Sequence, residues 1–283
     1  VLQLSKYPSL KKDLAETAMD HSQVNILNIP IDSIGMRELL DELKHGGVVF
    51  TPNVDHLMKL QKDREFYRVY QDADYRVCDS QLIMYASRFL GQPIRQKVSG
   101  SDLFPAFYQR YSQDENVKIF LLGGLAGVAA KASQRINAKV GRNMVVGTYS
   151  PPLGFESDPA ECAKIIEIIN HSGANVLAVG VGAPKQEKWI GQYRLSLTEI
   201  KTFLAIGATI DFEAGNLRRA PAWMSSAGLE WLYRLLSEPG RLWKRYLVED
   251  LGFFVLIFRQ KLQMNREQES YVGKKNLFES RLR

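Results

Sequence analysis

Thr51-Pro-Asn53 and Cys78-Asp79 each stand at the end of an apolar, strand-like run. Their spacing gathers a hydroxyl, an amide and a carboxylate on one rim, where Asp79 is a candidate general base able to take a proton from an attacking hydroxyl. The competing reading of Asp79 is a helix N-cap, its carboxylate accepting the first open N–H groups of a helix predicted over 81–90. For Thr51 and Asn53 the competing reading is turn chemistry, with Asp55 helping to cap the helix that follows.

Two glycine-bearing turns follow later runs, Gly123-Gly124-Leu-Ala-Gly127 and Gly180-Val-Gly182-Ala-Pro184. Small residues let a phosphate approach the backbone, and Pro184 suits the first helical position, where N–H groups point outward. Lys185-Gln186-Glu187 then adds an amide and two charges. These turns suit a diphosphate-bearing nucleotide, but neither is a full GxGxxG, and tight packing explains them as well.

Other constellations point away from their usual chemistry. Asp72-Ala-Asp74 has the DxD form that can hold a divalent ion, yet it precedes the strand ending at Asp79 and so falls at the opposite end of a sheet, where a solvated turn is expected. The four histidines show neither HxxxH nor HxH spacing, and no serine stands in a GxSxG elbow, so metallohydrolase and serine-hydrolase readings lack support. His56 alone lies near the rim, and a core or helix-surface position is expected for it. Cys78 and Cys162 fit neither a paired zinc spacing nor a disulfide framework, and a reducing cytosol suits them.

The elements that must position these groups alternate. Residues 24–29, 48–51, 75–78, 117–122, 144–148, 176–181 and 202–206 read as strands, and 55–70, 102–111, 126–140 and 159–171 have helical spacing. That alternation predicts an α/β chain with a doubly wound, largely parallel sheet flanked by helices. Ligands of such sheets gather beyond the carboxyl ends of the strands.

Charge divides the chain unevenly. Residues 1–217 hold 24 Lys/Arg and 24 Asp/Glu, whereas 218–283 hold 13 and 7, so the formal +6 resides in the last 66 residues. Three segments are expected: an N-terminal arm over 1–22, a catalytic domain over 23–217 and a basic helical appendage over 218–283. Helical spacing in the appendage covers 229–236 and 242–262, with Glu238-Pro239-Gly240 as the turn between. The first residues resemble no signal peptide. The run LGFFVLIF over 251–258 falls far short of the roughly 20 apolar residues a membrane span needs.

Taken in order, Thr51-Pro-Asn53, Cys78-Asp79, Lys97-Val-Ser-Gly-Ser-Asp102, Phe120-Leu-Leu-Gly-Gly124, Val179-Gly-Val-Gly-Ala-Pro-Lys-Gln-Glu187, Ile210-Asp-Phe-Glu-Ala-Gly215, Arg219-Ala-Pro221 and Gly228-Leu-Glu-Trp-Leu-Tyr-Arg-Leu235 resemble the WecG/TagA/CpsF glycosyltransferases. The resemblance implies a Rossmann-like fold and an inverting, metal-independent transfer from a UDP-sugar to an undecaprenyl-diphosphate-linked saccharide, in cell-surface polysaccharide biosynthesis. It implies Asp79 as base, with Thr51, Asn53 and Gln186 lining the pocket. It also implies that the appendage folds over the pocket, bringing Arg234, Arg241, Lys244 or Arg245 to the diphosphates. Gly123, Gly124, Gly182 and Pro184 join the expected donor site. No cofactor is expected, and self-association into a homo-oligomer stays open.

Two departures from the family pattern stand out: Ser80 follows the catalytic Asp where Gly is usual, and Lys97 replaces a common Arg, offering a point charge in place of a fork. The donor could be of N-acetylmannosamine, N-acetylmannosaminuronic acid or glucuronic acid type. The four appendage cations otherwise read as a solvated helical face. Phe253, Phe254, Val255, Leu256, Ile257 and Phe258, bracketed by Lys244, Arg245, Arg259 and Lys261, would place the protein peripherally on the inner face of the cell membrane, or would pack on the catalytic domain or on a partner subunit.

Two other classes compete with the transferase. A nucleotide-dependent oxidoreductase would need a dinucleotide fingerprint near the first strand, and VNILNIPIDS over 24–33 contains no glycine. A non-enzymatic nucleotide- or nucleic-acid-binding protein is allowed by the pI of about 9.2 and by Trp231, Tyr233, Trp243 and Tyr246, but no nucleic-acid motif accompanies them. No nucleic-acid partner is expected.

Overall fold

A computed structural model gives the fold, describing residues 22–217 and 251–281 with isolated positions between them; side chains of the last helix are described from 252 to 267. The chain forms an α/β Rossmann-like domain around a six-stranded sheet of order β4-β3-β8-β7-β5-β6. Its strands are β3 (Gly47–Phe50), β4 (Tyr75–Arg76), β5 (Ile119–Gly123), β6 (Val145–Tyr149), β7 (Val176–Gly180) and β8 (Thr202–Ala205), and every neighbouring pair is parallel. The interior strands β5 and β8 are buried throughout, which is why β5 and residues 203–205 of β8 read as continuous apolar runs and not as alternating ones.

The expected first strand over 24–29 is instead an antiparallel hairpin, β1 (Gln23–Ile26) and β2 (Ile29–Asp32), with Ile26 opposite Ile29. Leu27 and Asn28 turn the chain at φ 52° and 64°, the doubly positive geometry that matches strand twist in two-residue hairpins. Asn28 supplied half of that signal, and Leu27 concealed the rest. The hairpin joins the main sheet at one bridge, Asp32 to Val77. There the buried Asp32 carboxylate accepts the Arg76 backbone N–H at 2.6 Å. The Arg76 guanidinium lies 3.7 Å away through Nε, and its Nη1 donates to the Tyr70 and Ala73 carbonyls.

Helices cover both faces of the sheet. On one side pack α1 (Met36–Glu42), α5 (Gly100–Arg110), α6 (Val128–Val140) and α9 (Thr209–Ala214), through Leu39, Phe104, Ala132 and Ile210. On the other pack α2 (Val54–Leu60), α3 (Arg64–Gln71), α4 (Gln81–Leu90), α7 (Pro159–Asn170) and α8 (Lys185–Tyr193), through Leu57, Phe66, Ile83, Ile165 and Ile190. The single helix expected over 55–70 is thus two. Asp63 breaks it by capping α3, its carboxylate accepting the Phe66 N–H at 3.0 Å.

The last helix, α10 (Leu251–Arg281), runs well past the expected stop at 262. Phe253 and Ile257, 1% and 5% exposed, enter the same core as α2 and α4, so packing on the catalytic body accounts for part of the apolar run. Gln260 fastens this helix to the hairpin: its Oε1 accepts the Leu27 N–H at 2.9 Å and its Nε2 donates to the Asn25 carbonyl at 2.8 Å. Phe254, Val255, Phe258 and Leu262 on the outer face remain exposed. Among the described residues no helix is long and apolar enough to cross a membrane.

Candidate active site

The loops after β3 and β4 run side by side at the carboxyl end of the sheet. Val77 N–H donates to the Phe50 carbonyl at 3.0 Å, and Asp79 N–H to the Pro52 carbonyl at 2.9 Å, extending the parallel pairing past both strands. Thr51, Asn53 and Asp79 therefore share one rim, as their strand-end positions predict. A third segment joins them, because Val98 N–H donates to the Cys78 carbonyl at 2.8 Å and sets Lys97 beside the same turn. Asp79 and Lys97 act on the buried Cys78 thiol with opposite signs. Burial dominates and pushes that thiol up to about 12, so it stays protonated and unreactive.

Capping is assigned differently from expectation. Asn53, not Asp55, caps α2, its Oδ1 accepting the His56 N–H at 3.1 Å, while Asp55 pairs with Lys59 at 2.9 Å. Ser80, not Asp79, occupies the N-cap position of α4 and makes no side-chain capping bond. The half-buried Asp79 thus stands one residue before the N-cap and two before the first residue of α4. The motif over 97–102 resolves into a helix start: Ser99 Oγ accepts the Asp102 N–H at 3.1 Å and donates to the Asp102 carboxylate at 2.6 Å. That capping pair anchors α5 with Gly100 against Ile206, where a Cβ would come within 3.3 Å of the Ile206 Cα.

The glycine turns have two distinct roles. Gly123 adopts φ 138°, and a Cβ there would lie 2.4 Å from the Gly180 carbonyl oxygen; one on Gly180 would lie 2.6 Å from that of Gly207. These glycines let the ends of β5, β7 and β8 close on one another. At Gly124, with φ 71°, the nearer neighbour is a side chain, since a Cβ there would lie 3.0 Å from the Val128 Cβ. Gly182, at φ 86°, has no atom within 4 Å of where a Cβ would stand, so its turn has an open outer side. Pro184 is the N-cap residue of α8, one position before the helix that was expected to begin on it.

Gln186 joins the last two turns. Its Oε1 accepts N–H groups from Gly182 at 3.3 Å and Gly207 at 3.1 Å, and its Nε2 donates to Glu187 Oε1 at 2.8 Å. With the side chain only 3% exposed, Gln186 shapes the rim from behind. Glu187 is fully buried, and desolvation raises its carboxyl from 4.5 to about 7.

Beside Glu187 lies a group the sequence did not disclose. His56 Nδ1 and Tyr70 Oη are 2.6 Å apart inside the core, and Tyr70 is within electrostatic reach of Glu187, Asp79 and Asp55. Burial and those carboxylates raise the Tyr70 phenol well above its ordinary value, keeping it protonated. Of the two positions expected for it, His56 takes the core one, but in a polar contact beneath the rim.

Asp74 accepts the Val48 N–H at 2.7 Å at the amino ends of β3 and β4, away from the rim. The DxD segment therefore aligns strands there. Arg234, Arg241, Lys244 and Arg245 lie outside the described residues.

Helices leaving β3 and β7 cover one face and those leaving β8 and β5 the other, so crevices open between neighbouring strands at this end of the sheet. A rim with a carboxylate, a lysine and glycine turns is equipped to bind a phosphorylated donor and deprotonate an acceptor. The family model described as Glycosyl transferase WecG/TagA/CpsF family matches residues 24–267. It spans the hairpin, every strand of the sheet and the described apolar face of α10, and the chain belongs to this family of glycosyltransferases of cell-surface polysaccharide synthesis.

Proposed function

We propose that the protein is an inverting, metal-independent hexosyltransferase that moves a sugar from a UDP-sugar to an undecaprenyl-diphosphate-linked saccharide. The observation that carries this reading is the Asp79–Pro52 backbone tie, which holds the half-buried Asp79 carboxylate on the rim with Thr51 and Asn53. Asp79 takes the proton of the acceptor hydroxyl as that oxygen bonds to the anomeric carbon from the side opposite UDP. The bond to UDP breaks with its electron pair, and the configuration inverts.

Charge then develops on the departing diphosphate. Lys97 and the open turn at Gly182 are the described groups suited to receive it, and the family resemblance adds Arg234, Arg241, Lys244 or Arg245. The test is UDP release from a panel of UDP-sugars with a synthetic polyprenyl-diphosphate saccharide and no added metal. Acceptor-dependent release that collapses in Asp79→Asn supports the reading, and unchanged release in that variant overturns the base assignment.

The acceptor's lipid tail favours a peripheral position on the inner membrane face. Phe254, Val255, Phe258 and Leu262 form the exposed side of α10, with Arg259 and Lys261 among them, as an interfacial helix requires. Salt-sensitive binding to oligonucleotides without sugar transfer would instead favour a nucleic-acid-binding protein.

A further inference from the structure

In the KQE run at the start of α8, the more unusual residue is the neighbour of Gln186. Glu187 is 0% exposed, and one of its two oxygens, Oε2, has no hydrogen-bond partner among the described residues. A carboxyl is seldom left this way, since a buried unpaired acceptor is destabilising wherever an apolar side chain could stand instead. Its other oxygen accepts from the Gln186 amide at 2.8 Å.

That contact settles an ambiguity inherent in glutamine. A carboxamide can present oxygen or NH2 in either direction with little change of shape. Here the side facing the turns meets two donors, the N–H groups of Gly182 and Gly207, so only the oxygen can serve there. The NH2 must then point inward, where an acceptor is required, and Glu187 Oε1 is that acceptor. Turned around, Gln186 would set donors against donors and release both turns. Gly182 and Gly207, at φ 86° and 53°, both have open space where a Cβ would stand, so their conformation depends on what holds them from behind.

We propose that Glu187 is a positioning residue: its buried carboxyl orients the Gln186 carboxamide and thereby fixes the two turns, after β7 and β8, that meet the donor's diphosphate. The last clause rests on the nucleotide-sugar reading; the orientation of Gln186 does not. Asp55 and Lys59 from α2 and the Tyr70 phenol from α3 face this carboxyl, with His56 held on Tyr70 and Asp79 also within reach of that phenol. Desolvation keeps Glu187 largely neutral up to about pH 7. Above that pH it becomes a buried negative charge behind the donor site, and donor binding weakens.

The test compares wild type, Glu187→Gln and Glu187→Leu as full chains. Backbone amide hydrogen exchange at Gly182 and Gly207 reads the turns directly. UDP titration and the UDP-sugar KM, measured from pH 6 to 8, read the donor site. Glu187→Leu is expected to speed exchange at both glycines at least tenfold and to raise the UDP Kd about tenfold while the remaining core amides stay protected. Glu187→Gln, which keeps an acceptor oxygen, is expected to restore slow exchange and to remove the rise of donor KM above pH 7.

Unchanged exchange at Gly182 and Gly207 in Glu187→Leu would overturn the proposal. So would a Glu187→Gln protein as loosened as Glu187→Leu. If Glu187→Leu fails to fold, Glu187→Gln still decides through its pH profile: a KM that rises as in wild type counts against Glu187. If wild type binds no uridine nucleotide while the variant's turns loosen as expected, the donor reading fails and the positioning role stands.

Discussion

The Asp79 backbone N–H donates to the Pro52 carbonyl at 2.9 Å, so the loops after β3 and β4 are held by main chain and the Asp79 side chain is not needed for the tie. Asp79→Asn should therefore fold as wild type and lose about 10²–10⁴-fold in transfer rate, the usual range for removing a general base. UDP release per unit of folded protein measures the loss. A variant with unchanged Tm and undiminished rate would remove Asp79 from the chemistry.

Gly123 and Gly182 both have positive φ, but only Gly123 has backbone where a side chain would go. Gly182→Ala should cost about 1–2 kcal/mol from conformation alone. Gly123→Ala adds a collision with the Gly180 carbonyl and should cost about 3 kcal/mol or more. Urea midpoints of the two variants give the order, and equal losses would refute the close approach of β5 to β7.

Stability should fall as pH rises through the acid range because of Glu187. Its folded value, about 7, lies above the ordinary 4.5, so between these the folded protein binds the extra proton. The contribution is complete below pH 4.5 and is lost by about pH 7, a span worth about 3 kcal/mol. Glu187→Gln should flatten that part of the profile. The difference between its urea stability and that of wild type at pH 5 and pH 8 is the measurement.

Arg76→Leu should be among the more damaging substitutions outside the rim. It strands the Asp32 carboxylate, 4% exposed, without its cation and removes donors from the Tyr70 and Ala73 carbonyls. The expected cost is about 3–5 kcal/mol. A midpoint within experimental error of wild type would show that the pair is immaterial to stability.

Phe253 and Phe258 separate the two uses of α10. Phe253→Ala should destabilise by about 3–5 kcal/mol, because the ring is 1% exposed in the core. Phe258, 57% exposed, should tolerate Ser with little change in Tm but weaken sedimentation with anionic vesicles. Equal vesicle binding by Phe258→Ser and wild type would count against this face as the lipid contact.

Much of the architecture was legible because its signals are local and repetitive. Residues 48–50, 119–122 and 203–205 are apolar without interruption, and Asp158-Pro159 announces the start of α7 with a cap and a fixed φ. The hairpin was missed because Leu27 at positive φ is a poor advertisement for a turn. The break at Asp63 was missed because the polar stretch between α2 and α3 keeps helical spacing on both sides.

The rim was legible as a set of strand ends, but the division of labour within it was not. Asn53 and Asp55 are both plausible caps by type, and only the turn geometry chooses Asn53. Glu187 and Tyr70 look like surface and core residues respectively. Their shared polar interior arises where α3 packs on α8, more than 100 positions apart in the chain, and no spacing rule reaches that far.

The clasp of Gln260 on Asn25 and Leu27 also has a consequence for how the protein is made. Translation delivers the whole parallel sheet by residue 205, yet the part of the α2 and α4 surface that Phe253 and Ile257 cover stays open until those two residues emerge. For the roughly 50 residues between, the nascent chain carries an open hydrophobic flank, and it offers chaperones a defined interval in which to bind. Only when the last helix closes on the first hairpin does the molecule lose that flank.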